Sequence, residues 1–100
     1  MKTTVQELDG RLDAVLAGEL DTAAAAETEA ALKPLFESTG KDLVLDCADL
    51  QYIASSGIRI LVNLLKTAKA KGDRVVLKNV NEVIRDVLEL TGFVSYLVFA

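Results

Sequence analysis

Residues 43–58 decide the fold, and they carry the sequence Leu43-Val44-Leu45-Asp46-Cys47-Ala48-Asp49-Leu50-Gln51-Tyr52-Ile53-Ala54-Ser55-Ser56-Gly57-Ile58. The first five residues form a short, nearly continuous apolar run, which is typical of a central parallel strand. A helix is predicted from near Ser56 to Gly72, because one stripe of apolar residues recurs at helical spacing: Ile58, Leu61, Val62, Leu65 and Ala68. A buried strand followed by an amphipathic helix predicts an α/β fold.

The N-terminal twenty residues predict a β-hairpin. Two β-like runs, 4–8 and 11–17, flank the dipeptide Asp9-Gly10. Asp-Gly in this position is a strong signal for a tight turn between antiparallel strands. We therefore expect an antiparallel hairpin at the start of the chain.

A helix is predicted from about Ala23 to Phe36, with Asp21 or Thr22 as its N-cap. Pro34 lies inside this segment. Proline lacks an amide hydrogen, and its ring clashes with the carbonyl group four residues earlier. The helix should therefore kink or change geometry near its C-terminal end.

The C-terminal part predicts two more strands and one more helix. The strands are 74–78 and 96–99, and the helix between them is capped at Asn79 or Asn81 and runs to Gly92. The order of elements is thus ββαβαβαβ. It implies a mostly parallel four- to five-stranded sheet with an N-terminal antiparallel hairpin strand and three main helices. The length of 100 residues suits a single domain spanning residues 1–100.

Composition excludes several classes of function. The net charge is −4 with no basic cluster, so a direct nucleic-acid partner is not expected. There is no histidine and there is one cysteine, which removes the usual zinc sites, disulfides and Ser-His or Cys-His catalytic pairs. No apolar run is long enough to cross a membrane, and the N-terminus lacks the apolar segment of a signal peptide. We therefore expect a cytoplasmic protein that contacts no membrane.

The remaining polar residues predict no cofactor and no metal. The glycines are isolated rather than grouped into a phosphate-binding loop. Asp46 and Asp49 follow a predicted strand, but two lone carboxylates beside a turn are usually solvated or capping. Cys47 follows an apolar run and is interpreted as a small buried residue rather than a nucleophile.

Ser55 lies where the predicted helix begins. The first turn of a helix has unpaired backbone N–H groups and the positive end of the helix dipole, so a phosphate on Ser55 would be stabilised there. The alternative is that Ser55 and Ser56 merely cap the helix. Ile60, at the edge of the apolar stripe, is either a peripheral core residue or an apolar contact for a partner.

The sequence resembles the STAS domains, and in particular the small bacterial anti-sigma factor antagonists, over essentially its whole length. Four local matches carry the resemblance, in the family's order: Gly18-Glu19-Leu20-Asp21, Leu43-Val44-Leu45-Asp46 with Asp49-Leu50, Ile53-Ala54-Ser55-Ser56-Gly57-Ile58, and Leu90-Thr91-Gly92-Phe93.

The resemblance implies that Ser55 is phosphorylated by an anti-sigma factor that is itself a serine kinase. The unphosphorylated antagonist would bind this kinase and free a sigma factor, and a serine phosphatase would reset the phosphorylated form. Residue-by-residue transfer places Glu19, Asp21, Ser56 and Gly57 at the partner surface, with Ile60 as a further candidate, although Asp21 is equally well explained as an N-cap.

One position departs from the family pattern. The family often has aspartate immediately before the switch serine, whereas this chain has Ala54. Slower phosphorylation, or a docking module that is not phosphorylated, would be consistent with this difference. A small-molecule or nucleotide-binding STAS domain is another alternative, but the sequence supplies no convergent polar cluster for a ligand pocket. A hydrolase using Ser55 is disfavoured because no activating base is evident.

Overall fold

A computed structural model describes residues 1–90, 92 and 97–100. Six strands and four helices occur in this part of the chain: β1 (Lys2–Leu8), β2 (Arg11–Leu20), α1 (Thr22–Ala31), α2 (Lys33–Glu37), β3 (Asp42–Asp46), β4 (Leu50–Ile53), α3 (Ser55–Lys71), β5 (Val75–Lys78), α4 (Glu82–Glu89) and β6 (Leu97–Phe99). No helix among these is long and apolar enough to cross a membrane. The predicted α/β class is confirmed.

The strands form one mixed sheet in the order β1-β2-β3-β5-β6, and β4 pairs with β2 beside this path. β1 and β2 are antiparallel, as the Asp9-Gly10 turn predicts, while all other pairings are parallel. The predicted start of the last strand at Tyr96 lies outside the described residues, as do Thr91 and Phe93 of the fourth sequence match.

β4 is the element that the sequence did not predict. The long strand β2 pairs with β3 over its first half and with β4 over its last three residues. The register of β2 against β4 shifts between Gly18 and Glu19, and Gly18 adopts a φ of +106° there, which a residue with a side chain rarely adopts. The backbone N–H of Gly18 donates to the carbonyl of Asp49 at 2.9 Å, which places the start of β4 next to β2.

The predicted break near Pro34 is confirmed. α1 ends at Ala31, and α2 begins at Lys33 with Pro34 in its first turn. Proline is tolerated in this position because the first amide groups of a helix have no partner within the helix.

The helix face that packs into the core differs from the predicted stripe. The buried residues of α3 are Gly57, Ile60, Leu61, Leu64, Leu65 and Ala68. Ile58 packs partly buried against the core and Val62 is partly buried, so the buried face is rotated about the helix axis relative to the predicted stripe. Leu61, Leu65 and Ala68 belong to both faces, and they pack in the same core cluster as Leu43 and Leu45 of β3.

Both ends of the loop between α2 and β3 are tied to the end of α3. The ammonium group of Lys71, the last residue of α3, donates to the carbonyl oxygens of Phe36, at 2.8 Å, and Ser38. Lys71 also lies 3.6 Å from the carboxylate of Asp73, whose other oxygen accepts the backbone N–H of Gly40 at 2.9 Å. These contacts fix the C-terminal end of α3 against the neighbouring loop.

Candidate functional site

Ser55 is the first residue of α3 and is exposed. The N-cap is Ala54, with φ −85° and ψ 170°, and no side chain accepts a hydrogen bond from the first turn. The interpretation of Ser55 and Ser56 as capping residues is therefore wrong, because the helix begins one residue earlier than a serine cap requires. The hydroxyl of Ser55 stays at the surface without a capping role.

Gly57 explains why the helix can begin at this place. A Cβ atom on Gly57 would lie 2.6 Å from Cγ of Leu20 and 2.9 Å from Cγ1 of Ile53. These two residues are the buried ends of β2 and β4, so only glycine lets the helix approach them so closely. Gly57 is buried, and its close packing determines where Ser55 lies, while its contact with a partner stays a prediction.

The ends of β2 and β4 bring most of the predicted partner residues together. Leu20 pairs with Ile53, and the backbone N–H of Ala54 donates to the carbonyl of Leu20 at 2.8 Å. α1 and α3 therefore begin side by side. Glu19 precedes this junction on β2 and is exposed, opposite Tyr52 of β4, which is 51% exposed.

Asp21 and Ser56 are partly engaged within the protein. The carboxylate of Asp21 accepts the backbone N–H of Ala24 at 2.9 Å and caps α1, so the capping alternative for Asp21 is confirmed. The hydroxyl of Ser56 donates to that of Thr22 at 3.4 Å, across the gap between the two helix starts. Ser56 thus contacts the start of α1, whereas Ser55 is exposed to solvent.

Ile60 is 4% exposed and belongs to the hydrophobic core. Its interpretation as a core residue is confirmed by this burial, and a contact of Ile60 with a partner stays a prediction. It lies at the bottom of a shallow groove lined by Ala25, Ala26, Glu29, Ser56 and Arg59.

A second, larger groove of about 390 Å³ runs between the three N-terminal helices. Half of its six lining residues are small or apolar and half are polar or charged: Ala26, Ala30 and Phe36 against Glu29, Lys33 and Asn63. Ligand sites of parallel α/β sheets usually lie at the carboxyl ends of the strands. This groove lies on the helices, so it does not support the alternative of a nucleotide site there.

Asp46, at the end of β3, and Cys47 and Asp49, which follow it, do not form a reactive centre. Cys47 is 2% exposed, and burial, with a smaller effect of the Asp46 charge, raises the pKa of its thiol to about 12. The backbone N–H of Ala48, at 3.1 Å, and then the amide of Asn79, at 3.2 Å, donate to Asp46 and lower its pKa. No group of three histidine, cysteine, aspartate or glutamate side chains able to hold a metal occurs among the described residues.

Comparison with known proteins identifies the family. The profile of the STAS domain matches residues 2–100. The chain belongs to the STAS domain family. It is 34% identical over 95% of its length to BtrV of Bordetella bronchiseptica, whose name places it among the anti-sigma factor antagonists and of which 82% is covered. It is 30% identical over 88% of its length to the anti-sigma-B factor antagonist of Bacillus subtilis, of which 80% is covered.

Solved STAS structures show the same fold. The anti-sigma factor antagonist SpoIIAA in its unphosphorylated form superposes with a TM-score of 0.79 at 18% identity, covering 99% of this chain and 87% of that one. The phosphorylated form of SpoIIAA, a Bacillus cell fate determinant, gives 0.77 at 20% identity, with 99% and 91% covered. The resemblance to STAS domains is thus confirmed.

The sequence reasoning missed three residues of this region: Thr22, which accepts a hydrogen bond from the Ser56 hydroxyl, Tyr52, which pairs with Glu19, and Arg59, which follows Ser55 by four residues on α3. Thr22 follows directly from the confirmed cap at Asp21, because the first residue of α1 must lie at the same helix start. Arg59 could have been found from its spacing of four residues after Ser55, which brings it onto the same side of the helix. Tyr52 carried no signal, since β4 was not predicted.

Proposed function

We propose that this STAS domain is an anti-sigma factor antagonist whose binding is switched by phosphorylation of Ser55. The observation that carries the proposal is Ser55, which is exposed at the start of α3, a helix whose first turn has no side-chain cap. The relatives of the chain are named anti-sigma factor antagonists. The hydroxyl is accessible to a kinase, and its place is fixed by Gly57 and by the pairing of β2 with β4.

The free protein tolerates a phosphate at this place. α3 is 17 residues long, and its first-turn N–H groups receive no side-chain cap. A phosphate adds about −1.5 to −2 charges at pH 7, which the positive end of a helix stabilises. The same charge opposes binding, because a close-packed interface would have to remove it from water.

The partner surface in this proposal is centred on Ser55. Exposed Glu19 and the partly exposed Asp21 and Ser56 surround it at the starts of α1 and α3. The partner is an anti-sigma factor with serine kinase activity, and a serine phosphatase restores the binding form. The cycle takes place in the cytoplasm, where sigma factors and their regulators act.

The protein acts in this cycle as a binding module rather than as an enzyme. A serine nucleophile needs an activating base, and the chain contains no histidine. Cys47 is buried, with its pKa raised to about 12, and does not supply a thiolate at neutral pH.

The test is a titration of four proteins against the anti-sigma kinase isolated from the native lysate. The proteins are the wild type, Ser55→Ala, the phosphorylated wild type and the control Ser56→Ala. With ATP, the kinase should modify the wild type and Ser56→Ala at Ser55, as mapped by mass spectrometry, and Ser55→Ala should bind but accept no phosphate. Calorimetry should show weaker binding of the phosphorylated form. Equal affinity of both forms, or a phosphate that maps to Ser56, would contradict the proposal.

The second candidate is a docking module that binds its partner without being phosphorylated. The observation that favours it is Ala54, at a position where the family often has an acidic residue. Its signature in the same experiment is a stable complex with the kinase and no phosphate on Ser55 after prolonged incubation with ATP.

A further inference from the structure

Arg59 is an exposed basic residue one helical turn after Ser55 on α3. Residues four apart are neighbours on a helix surface, about 5–6 Å between their Cβ atoms. Side chains on a helix also lean toward its N-terminus, which directs Arg59 over the turn that carries Ser55.

Arg59 is available to pair with a phosphate on Ser55. The ion pairs found among the described residues involve other bases, and Arg59 has none within 4.0 Å. The acidic residues of this region are Glu29 of α1, which lines one groove together with Arg59, Glu19 near the end of β2, and Asp21, the N-cap of α1. A phosphate on Ser55 would join these carboxylates, and Arg59 is the cation on its own helix that can compensate it.

We propose that Arg59 pairs within the molecule with the phosphate on Ser55 and holds it against α3. This inference rests on the proposed phosphorylation of Ser55, and it makes Arg59 a positioning residue for the phosphorylated state. An acid four residues before a base is the favourable order on a helix, and a guanidinium group can donate two parallel hydrogen bonds to a phosphate. Ser56 is the poorer site, because its hydroxyl is directed to Thr22.

The test uses the full chain with phosphoserine incorporated at position 55 during translation. Phosphorus NMR then reports the second pKa of the phosphate as a function of pH. We expect this pKa to be about 0.3–0.7 units lower with Arg59 than in Arg59→Gln, because a favourable cation stabilises the doubly charged phosphate. Arg59→Lys keeps the positive charge but cannot donate two parallel hydrogen bonds to the phosphate, so the phosphate pKa should lie between those of the wild type and Arg59→Gln.

The matched control is Lys66→Gln. Lys66 is exposed on the same helix, eleven residues after Ser55 and thus about 16 Å along the axis, and its loss changes the net charge equally. In Lys66→Gln, the second pKa of the phosphate on Ser55 should equal that in the wild type. An equal shift in both Gln variants would overturn the proposal, since net charge alone would then account for it.

Two further results would overturn the pairing. One is an identical phosphate pKa in the wild type and in Arg59→Gln. The other is a loss of affinity of unphosphorylated Arg59→Gln for the anti-sigma kinase with no change in phosphate pKa, which would assign Arg59 to the interface. Because the phosphoserine is built in during translation, the pairing can fail while phosphorylation by the kinase succeeds, and the reverse also holds.

Discussion

Gly57→Ala tests the close approach that places Ser55. The new Cβ would lie 2.6 Å from Cγ and 3.0 Å from Cδ2 of Leu20, and 2.9 Å from Cγ1 of Ile53. Leu20 is fully buried and Ile53 is buried beside it, so neither side chain has free space into which it can rotate. Overpacking of this kind costs about 1–3 kcal/mol, and alanine regains at most about 1 kcal/mol of helix propensity over glycine. We expect a net loss of about 1–2 kcal/mol.

Urea titration and thermal unfolding measure this loss, and a net 1–2 kcal/mol should lower Tm by about 4–16 °C in a domain of this size. The control is a double-mutant cycle with Leu20→Ala, which removes both clashing carbons of Leu20. In that background, Gly57→Ala should cost clearly less than in the wild type. A neutral or stabilising Gly57→Ala, or an equal cost in both backgrounds, would refute the packing argument.

Three further predictions follow from the same structure. Leu61→Ala and Leu64→Ala should each lower the free energy of unfolding by about 2–5 kcal/mol, because both side chains are buried. Val62→Ala should cost less than about 1.5 kcal/mol, because Val62 is only partly buried. Denaturant titrations in which Val62→Ala loses more stability than Leu64→Ala would contradict the observed helix face. Ala54→Asp should raise the free energy of unfolding by about 0.5–2 kcal/mol, because Ala54 is an N-cap without a capping side chain. The same variant should also be phosphorylated faster at Ser55. An unchanged Tm and equal single-turnover rates would show that the carboxylate neither caps the helix nor assists the kinase. Cys47 should react with a thiol reagent at pH 8 much more slowly in the folded protein than in urea, since it is buried and its pKa is raised to about 12; equal rates would mean that the thiol is accessible.

The order of the main elements was predictable because each carries a local signal. The turn at Asp9-Gly10, the break at Pro34 and the stop at Gly72 all depend on backbone chemistry within a few residues. The placement of Ser55 at a helix start followed in the same way, from the change of apolar pattern on either side of it.

β4 could not be predicted because its burial does not alternate. Leu50 and Ile53 are buried and the two residues between them are exposed, a pattern that matches neither a half-buried strand nor a helix over so short a length. Its partner is the end of β2, about thirty residues away in the chain, and only the fold brings the two together.

The side of α3 that faces the core could not be predicted from the sequence either. Two overlapping apolar stripes share Leu61, Leu65 and Ala68, and the choice between them depends on how closely the first turn approaches β2 and β4. Gly57 permits that approach, so its effect on Ile60 and on Ser55 appears only in three dimensions.

α3 is restrained at both ends, at its start by Leu20 and Ile53 beneath Gly57, and at its end by Lys71 on the carbonyls of Phe36 and Ser38. A helix restrained in this way has no free direction for sliding along its axis. The phosphate proposed for Ser55 therefore finds a rigid support, and its information is carried by charge and volume at a fixed place. In this proposal, discrimination between the two forms rests with the partner, whose own surface must detect the added charge and volume at the start of α3.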